Sequence, residues 1–150
     1  MNPGRVMAID LGEKRIGLAV SDALGITAQP LPTYLRRSLP EDLAHLTGLV
    51  RERGVVTVVI GLPLKLDGSE GLAVERMRAF STALAGALGE GVPIVPLDER
   101  MTTARAAKDL RPLGRASDNR RRGELDRAAA QLLLTCYLGM QSTAEDPSGS

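Results

Sequence analysis

Short apolar runs, separated by glycine, proline and polar residues, divide most of the chain into strands and helices. Five runs have the length and the β-branched content of strands. They are Arg5–Leu11, Arg15–Asp22, Ile26–Leu35, Val55–Gly61 and Val92–Leu97. Only residues 12–14 separate the first two, which predicts an antiparallel hairpin. Pro30 and Pro32 lie in the third run and favour a position at the edge of a sheet.

Two helices are predicted between the later strands. Ser38, followed by a proline and two acids, begins a helix that runs to about Arg53, where Gly54 ends it. The second helix covers about Glu70–Leu88, with Asp67 or Ser69 as its cap. Strands that follow helices in this order pair in parallel through right-handed crossovers. The pattern therefore predicts an α/β fold: a five-stranded mixed sheet flanked by helices, with the first three strands antiparallel and the first strand central.

The last part of the chain is predicted to be helical and then disordered. A short helix from Thr102 or Thr103 to Leu110 leads into a mobile loop over Arg111–Gly123, and a final helix covers Glu124–Met140. Its predicted apolar stripe consists of Leu125, Ala129, Leu132, Cys136 and Met140. One domain over residues 1–140 and a polar tail over 141–150 follow from this division.

Composition excludes several classes of protein. One cysteine permits no intrachain disulfide, which suits a reducing compartment. The chain begins without an apolar signal core, and no apolar run approaches the roughly 20 residues that span a bilayer. These features predict a cytoplasmic protein without a membrane partner. Aromatic residues make up only 2% of the chain, which argues against a single-strand binder that relies on base stacking.

Charge is unevenly distributed. Residues 100–127 contain nine Arg or Lys and four acids, a local +5 in a chain whose net charge is +1. Such an excess can attract a polyanion such as nucleic acid, although a solvated charged face explains it equally well.

Acidic residues lie where strands end. Asp10 closes the first strand, and Asp98 and Glu99 follow the fifth, where α/β proteins place their sites. Each has a simpler interpretation: Asp10 caps a turn, and the pair begins a helix. Asp126, beside the apolar stripe of the last helix, is by itself most simply a solvated acid. It gains interest if that helix packs beside the first strand.

Other catalytic groups are scarce. His45 and Cys136 both lie among apolar residues and are expected to be structural. Hydrolysis without histidine or cysteine indicates Mg²⁺ or Mn²⁺ held by carboxylates.

A loop after the fourth strand is a further candidate. Gly61 lets the backbone approach a ligand closely, and the Asp67–Gly68 turn follows it. We expect both to line a cleft and to contact a nucleic-acid backbone, although a strand-end turn and a helix cap explain them equally well. Whether Glu70 caps the helix or binds metal stays open, as does whether Asp98 joins the metal site.

Four segments together resemble the YqgF/RuvX family. They are Ala8–Gly12 with Lys14–Asp22, Gly61–Leu64 with Asp67–Glu70, Asp98–Thr103, and Asp126–Ala130 with Leu132–Leu138. They occur in order over about residues 6–138, and in combination they are highly specific.

The resemblance implies an RNase H-like fold related to the Holliday junction resolvase RuvC. It also implies that Asp10, Glu99 and Asp126 form a catalytic triad of acids that binds the metal. The family is described both as a nuclease for the 5′ end of pre-16S rRNA and as a junction resolvase. Structured RNA and branched DNA are thus both expected partners, for a monomer or a homodimer. The residues expected to bind nucleic acid are Lys14, Arg15, Arg100, Arg115, Arg120, Arg121 and Arg122.

Two other functions remain open. The Asp10–Gly12 segment also resembles the first phosphate loop of actin-like ATPases, which however close two such domains over ATP. A non-catalytic RNA-binding module of ribosome assembly would need only the basic residues, but its acids would repel phosphate in the absence of metal.

Overall fold

A central five-stranded sheet organises the structure, a computed structural model that describes residues 4–102 and 118–144, without the side chains of 118–126 and 142–144. The strands are β1 (Arg5–Leu11), β2 (Arg15–Ser21), β3 (Ala28–Leu35), β4 (Val55–Leu62) and β5 (Ile94–Asp98). Their spatial order is β3-β2-β1-β4-β5. The β1–β2 and β2–β3 pairs are antiparallel, and β4 pairs in parallel with both β1 and β5. The predicted mixed sheet with a central first strand is confirmed.

Helix α1 (Leu39–Arg53) ends where the sequence predicts. The side chain of Ser38 accepts a hydrogen bond from the Glu41 N–H, and Gly54 closes the helix in the left-handed region at φ 65°. Its neighbour α2 (Leu72–Leu88) begins at Gly71, with no side-chain cap. The predicted cap by Asp67 or Ser69 is wrong, because Asp67 instead accepts hydrogen bonds from the backbone and hydroxyl of Ser69.

Helix α3 (Asp118–Ala144) is longer than predicted. It includes residues 118–123, which were expected to belong to a loop, and it continues four residues past Met140. The predicted short helix to Leu110 and the first part of the loop lie outside the described residues.

The sheet separates two apolar layers. Helices α1 and α2 cover one face with the larger side chains, among them Leu46, Phe80 and Leu84. On the other face α3 packs on small residues of the central strands, including Ala8 and Ala19.

The buried face of α3 differs from the predicted stripe. The α3 residues that are fully buried are Ala129, Ala130, Leu133 and Leu134. Leu132 and Cys136 are only partly buried, and Met140 is 44% exposed. Two adjacent alanines let the helix approach the small residues of the sheet, which rotates its contact face relative to the predicted one. Within the parts of the chain described, no helix is long and apolar enough to cross a membrane.

Candidate metal centre

Asp10 lies in the middle of the sheet and is only 1% exposed. By alternation along β1 it shares a face with Val6 and Ala8, which pack against α3. Its partner on β2 is Gly17. On β4, Ile9 pairs with Ile60, and the same register places Gly61 beside Asp10. Both positions directly beside Asp10 on the adjacent strands are therefore glycines.

Glu99 reaches the same face from β5. It begins a short 3₁₀ turn (Glu99–Met101) at the end of that strand and is also 1% exposed. A Cβ atom at Gly61 would lie 2.6 Å from Glu99 Oε1 and 3.1 Å from Leu133 Cδ1. The carboxylate therefore rests over the Gly61 backbone, against α3. Since Gly61 is the neighbour of Asp10, the structure brings these two predicted acids to adjacent positions on one face.

Asp98 has a structural role instead. Its Oδ1 accepts a hydrogen bond of 2.9 Å from the Arg100 N–H and thereby caps the 3₁₀ turn, while its Oδ2 lies 2.8 Å from Arg100 Nη2. The hydrogen bonds that the Arg100 guanidinium donates to Asp98 raise the pKa of Arg100. Glu70 likewise forms an ion pair of 2.7 Å, with Arg78, and does not cap α2.

Arg100 lies beside the loop that follows β4. Its Nη1 lies 3.1 Å from the position of a Cβ at Gly68, and the neighbouring Asp67 carboxylate also raises its pKa. Gly61 and the Asp67–Gly68 turn thus adjoin Glu99 and Arg100 respectively. That these segments line a cleft and contact nucleic acid stays a prediction.

The remaining predicted residues are placed to different extents. Lys14 is exposed in the β1–β2 turn, and Arg15 is half-buried at the start of β2. Arg115 lies outside the described residues. The residues of α3 for which only the backbone is described are Arg120, Arg121, Arg122 and Asp126. By helical spacing, position 126 lies four residues before Ala130 and seven before Leu133, on the stripe that faces the sheet.

Among residues 4–102 and the side chains of 127–141, no group of three or more metal-binding residues occurs. The described donor set consists of the Asp10 and Glu99 carboxylates, and the predicted third member, Asp126, is not among these side chains. His45 stacks on Tyr34 with ring centroids 4.2 Å apart, and burial lowers its pKa. Its place beside β3 agrees with a structural role.

The RuvX family, described as Holliday junction resolvase, matches residues 4–140. The chain belongs to this family. A relative from Syntrophus aciditrophicus is 43% identical over 144 residues, which are 96% of this chain and 94% of that protein. Another from Myxococcus xanthus is 46% identical over 134 residues, 89% of this chain and 87% of that protein. Both are named as candidate pre-16S rRNA nucleases.

Two solved structures share the fold of this RuvX-family chain. Thermus thermophilus RuvC in complex with a Holliday junction substrate has a TM-score of 0.55 at 16% identity, over 93% of this chain and 97% of that one. Fowlpox virus resolvase in complex with junction DNA has a TM-score of 0.56 at 9% identity, over 91% and 98%. The RNase H-like fold implied by the sequence motifs is confirmed.

Sequence reasoning missed one arrangement of charged residues that only the fold assembles. Arg36 donates a hydrogen bond of 3.0 Å to the fully buried Asp42, and a second of 3.1 Å to the Gly12 carbonyl. Burial raises the pKa of Asp42, but hydrogen bonds from the Arg37 N–H, Arg36 and Tyr34 outweigh it and leave that pKa lowered. The signal was an Arg-Arg pair before a helix cap, which has many simpler explanations.

Proposed function

We propose that this RuvX-family protein is a metal-dependent nuclease that hydrolyses phosphodiester bonds and processes the 5′ end of pre-16S rRNA. The observation that carries the proposal is the pair of acids, Asp10 and Glu99, buried on one face of the sheet and separated by the bare backbone of Gly61. Burying two carboxylates so close together is costly unless a cation compensates them.

The donor set fits a hard divalent cation. Carboxylate oxygens are the ligands that Mg²⁺ and Mn²⁺ prefer, and glycine at position 61 lets the Glu99 carboxylate lie over the strand beside Asp10. Asp10, Glu99 and Asp126 would hold the metal. When bound, such cations activate water and stabilise the leaving oxygen of a phosphodiester.

The protein's basic residues would hold the substrate. Arg100, fixed by Asp98 at the same edge as Glu99, is suited to a phosphate next to the scissile bond. Lys14 and Arg15 would contact the phosphate backbone of the substrate on the side of the site nearest β2. The basic residues near and within the start of α3 would add further phosphate contacts: Arg115, Arg120, Arg121 and Arg122.

The names of the relatives favour rRNA as the substrate, and the family description favours a second candidate, a four-way DNA junction. Resolution of a junction requires two cuts and therefore two active sites, so this candidate implies a homodimer, whereas rRNA processing is compatible with a monomer.

Cleavage of a pre-16S RNA fragment and a synthetic four-way junction, each with Mg²⁺ and with Mn²⁺, tests the proposal. Asp10→Asn should abolish cleavage of the true substrate, whereas Glu52→Gln, an exposed acid at the far end of α1, should leave it unchanged. Mg²⁺ should also raise the melting temperature of the wild type but not of Asp10→Asn.

Cleavage by Asp10→Asn at the wild-type rate would refute the mechanism. Cleavage of the junction alone would transfer the proposal to branched DNA, and metal-independent RNA binding without any cleavage would favour the non-catalytic module.

A further inference from the structure

A shallow basic depression lies beside the β1–β2 turn, apart from the acids. It has a volume of about 490 Å³ and is lined by Glu13, Lys14, Leu35, Arg36 and Arg37. Its cations come from two segments, the turn after β1 and the link between β3 and α1. Both segments leave the sheet at the end where β1 and β5 finish, and Asp10 and Glu99 lie at this same end.

Hydrogen bonds fix the depression to the turn that directly follows β1, the strand that carries Asp10. The Arg36 N–H donates to the Lys14 carbonyl at 2.8 Å, and the Arg36 side chain donates to the Gly12 carbonyl at 3.1 Å. The Arg36 guanidinium forms an ion pair with Asp42, and its Cζ lies 5.3 Å from the centre of the Phe80 ring. Arg36 is therefore held in place before an anion binds, which lowers the entropic cost of binding there.

Two cations of the depression face solvent. The side chain of Arg37 is 73% exposed, and its ion pair with Glu41 spans 3.7 Å between exposed groups and is weak. Lys14 is exposed. The one acid in the lining, Glu13, has its charge compensated by Arg76 at 2.6 Å. Asp42 compensates the charge of Arg36, so an incoming phosphate would meet the positive charges of Lys14 and Arg37.

The depression and Arg100 lie on opposite sides of the acids. Arg37 follows β3 and Arg100 follows β5, and each of these strands is two positions from β1, or about 10 Å along the sheet edge. The Arg36 guanidinium contacts Asp42 of α1 and Phe80 of α2, whereas Asp10 and Glu99 face α3. A nucleic-acid strand that crosses this end of the sheet would contact both the depression and the acids.

We propose that the depression formed by Lys14, Arg36 and Arg37 binds the phosphate backbone of the substrate a few nucleotides from the scissile bond. This inference rests on the proposed nuclease function and adds to it a second phosphate site, on the side of the acids opposite Arg100. It orients the strand across the edge of the sheet.

Binding of fluorescently labelled pre-16S RNA to Asp10→Asn protein, in which the probe stays intact, tests this site. Arg37→Ala is compared with Arg37→Lys and with a matched control, Arg53→Ala, which removes an exposed arginine from the other end of α1. Anisotropy is measured over a range of salt concentrations. One probe extends well past the scissile bond on both sides, and another ends about two nucleotides from it on each side.

On the long probe, Arg37→Ala should reduce the salt dependence by about 0.7 in log–log slope, which is about fivefold in affinity for each tenfold change in salt. Arg37→Lys should recover most of this loss, and the short probe should show no difference. Equal binding by Arg37→Ala and Arg53→Ala, or an equal loss on both probes, would overturn the inference. Cleavage assays of the wild type separately decide the nuclease function, so the two proposals can fail independently.

Discussion

Replacing Gly61 with alanine should displace Glu99 and thereby test whether its position matters. The backbone of Gly61 does not lie in the left-handed region, so alanine is conformationally allowed there. The added Cβ, however, would lie 2.6 Å from Glu99 Oε1, 3.2 Å from its Cγ and 3.1 Å from Leu133 Cδ1. Ordinary contacts of a Cβ begin at 3.4 Å, so the substitution is opposed by packing and not by backbone strain.

The required shift can be worked from these distances. The carboxylate oxygen must move by about 0.8 Å to reach an ordinary contact. Glu99 is 1% exposed and Leu133 is fully buried, so neither side chain can swing into solvent. Overpacking of this kind costs about 1–3 kcal/mol of unfolding free energy. A misplacement near 1 Å in a catalytic centre costs on the order of 100-fold in rate.

Urea unfolding and cleavage assays of Gly61→Ala measure both effects, with Gly86→Ala on α2 as the matched control. No atom lies within 4 Å of a Cβ at Gly86, so that variant should be active and up to about 1 kcal/mol more stable. Gly61→Ala should lose about 100-fold in rate and should respond less to Mg²⁺ in melting temperature. The double variant Gly61→Ala/Glu99→Asp should regain stability, because aspartate is one methylene shorter.

Wild-type activity and metal response in Gly61→Ala would refute the reasoning, since the Glu99 carboxylate could then occupy a different position without loss. Failure of Glu99→Asp to restore the stability of Gly61→Ala would show that the clash lies with Leu133 instead.

Two other substitutions give separable outcomes. Asp42→Asn removes the buried partner of Arg36 and should cost about 3 kcal/mol in urea unfolding at neutral pH. Because the pKa of Asp42 is lowered in the folded protein, its contribution is present above about pH 4 and is lost as the pH falls through the folded value. The difference between variant and wild type should therefore shrink in acid, and a constant difference would contradict this assignment. Glu70→Gln breaks only the exposed pair with Arg78, so unfolding should change by less than about 1 kcal/mol with cleavage retained, and loss of cleavage would instead implicate Glu70 in metal binding.

Local signals predicted the elements whose ends are set by their own residues. Ser38 and Gly54 mark the two ends of α1 as expected, because a cap hydrogen bond and a left-handed glycine need no tertiary partner. The same reasoning failed at α2, because the Asp67 carboxylate can accept either of two local sets of hydrogen bonds. It could have capped the helix, but it stabilises its own turn through Ser69. Sequence alone does not decide between two local hydrogen bonds of similar strength.

The candidate site was predictable in its acids but not in what surrounds them. Asp10 was found because it ends an apolar strand, and Glu99 because it follows another. The contact between Glu99 and the Gly61 backbone depends on the register of three strands and on the depth of α3, which no local pattern specifies. The hydrogen bonds that Arg36 donates to Asp42 and Gly12 likewise join segments that only the folded sheet brings together.

The error in the face of α3 bears directly on Asp126. A stripe through Leu132, Cys136 and Met140 left position 126 at its edge, where an acid is most simply solvated. The observed contact face runs through Ala130 and Leu133, and residues four and seven positions earlier on a helix share its face. The same rotation that makes the predicted stripe wrong therefore moves position 126 to the side of α3 that covers Asp10. The membership of Asp126 in a three-acid centre stays a prediction, and only its position along α3 bears on it.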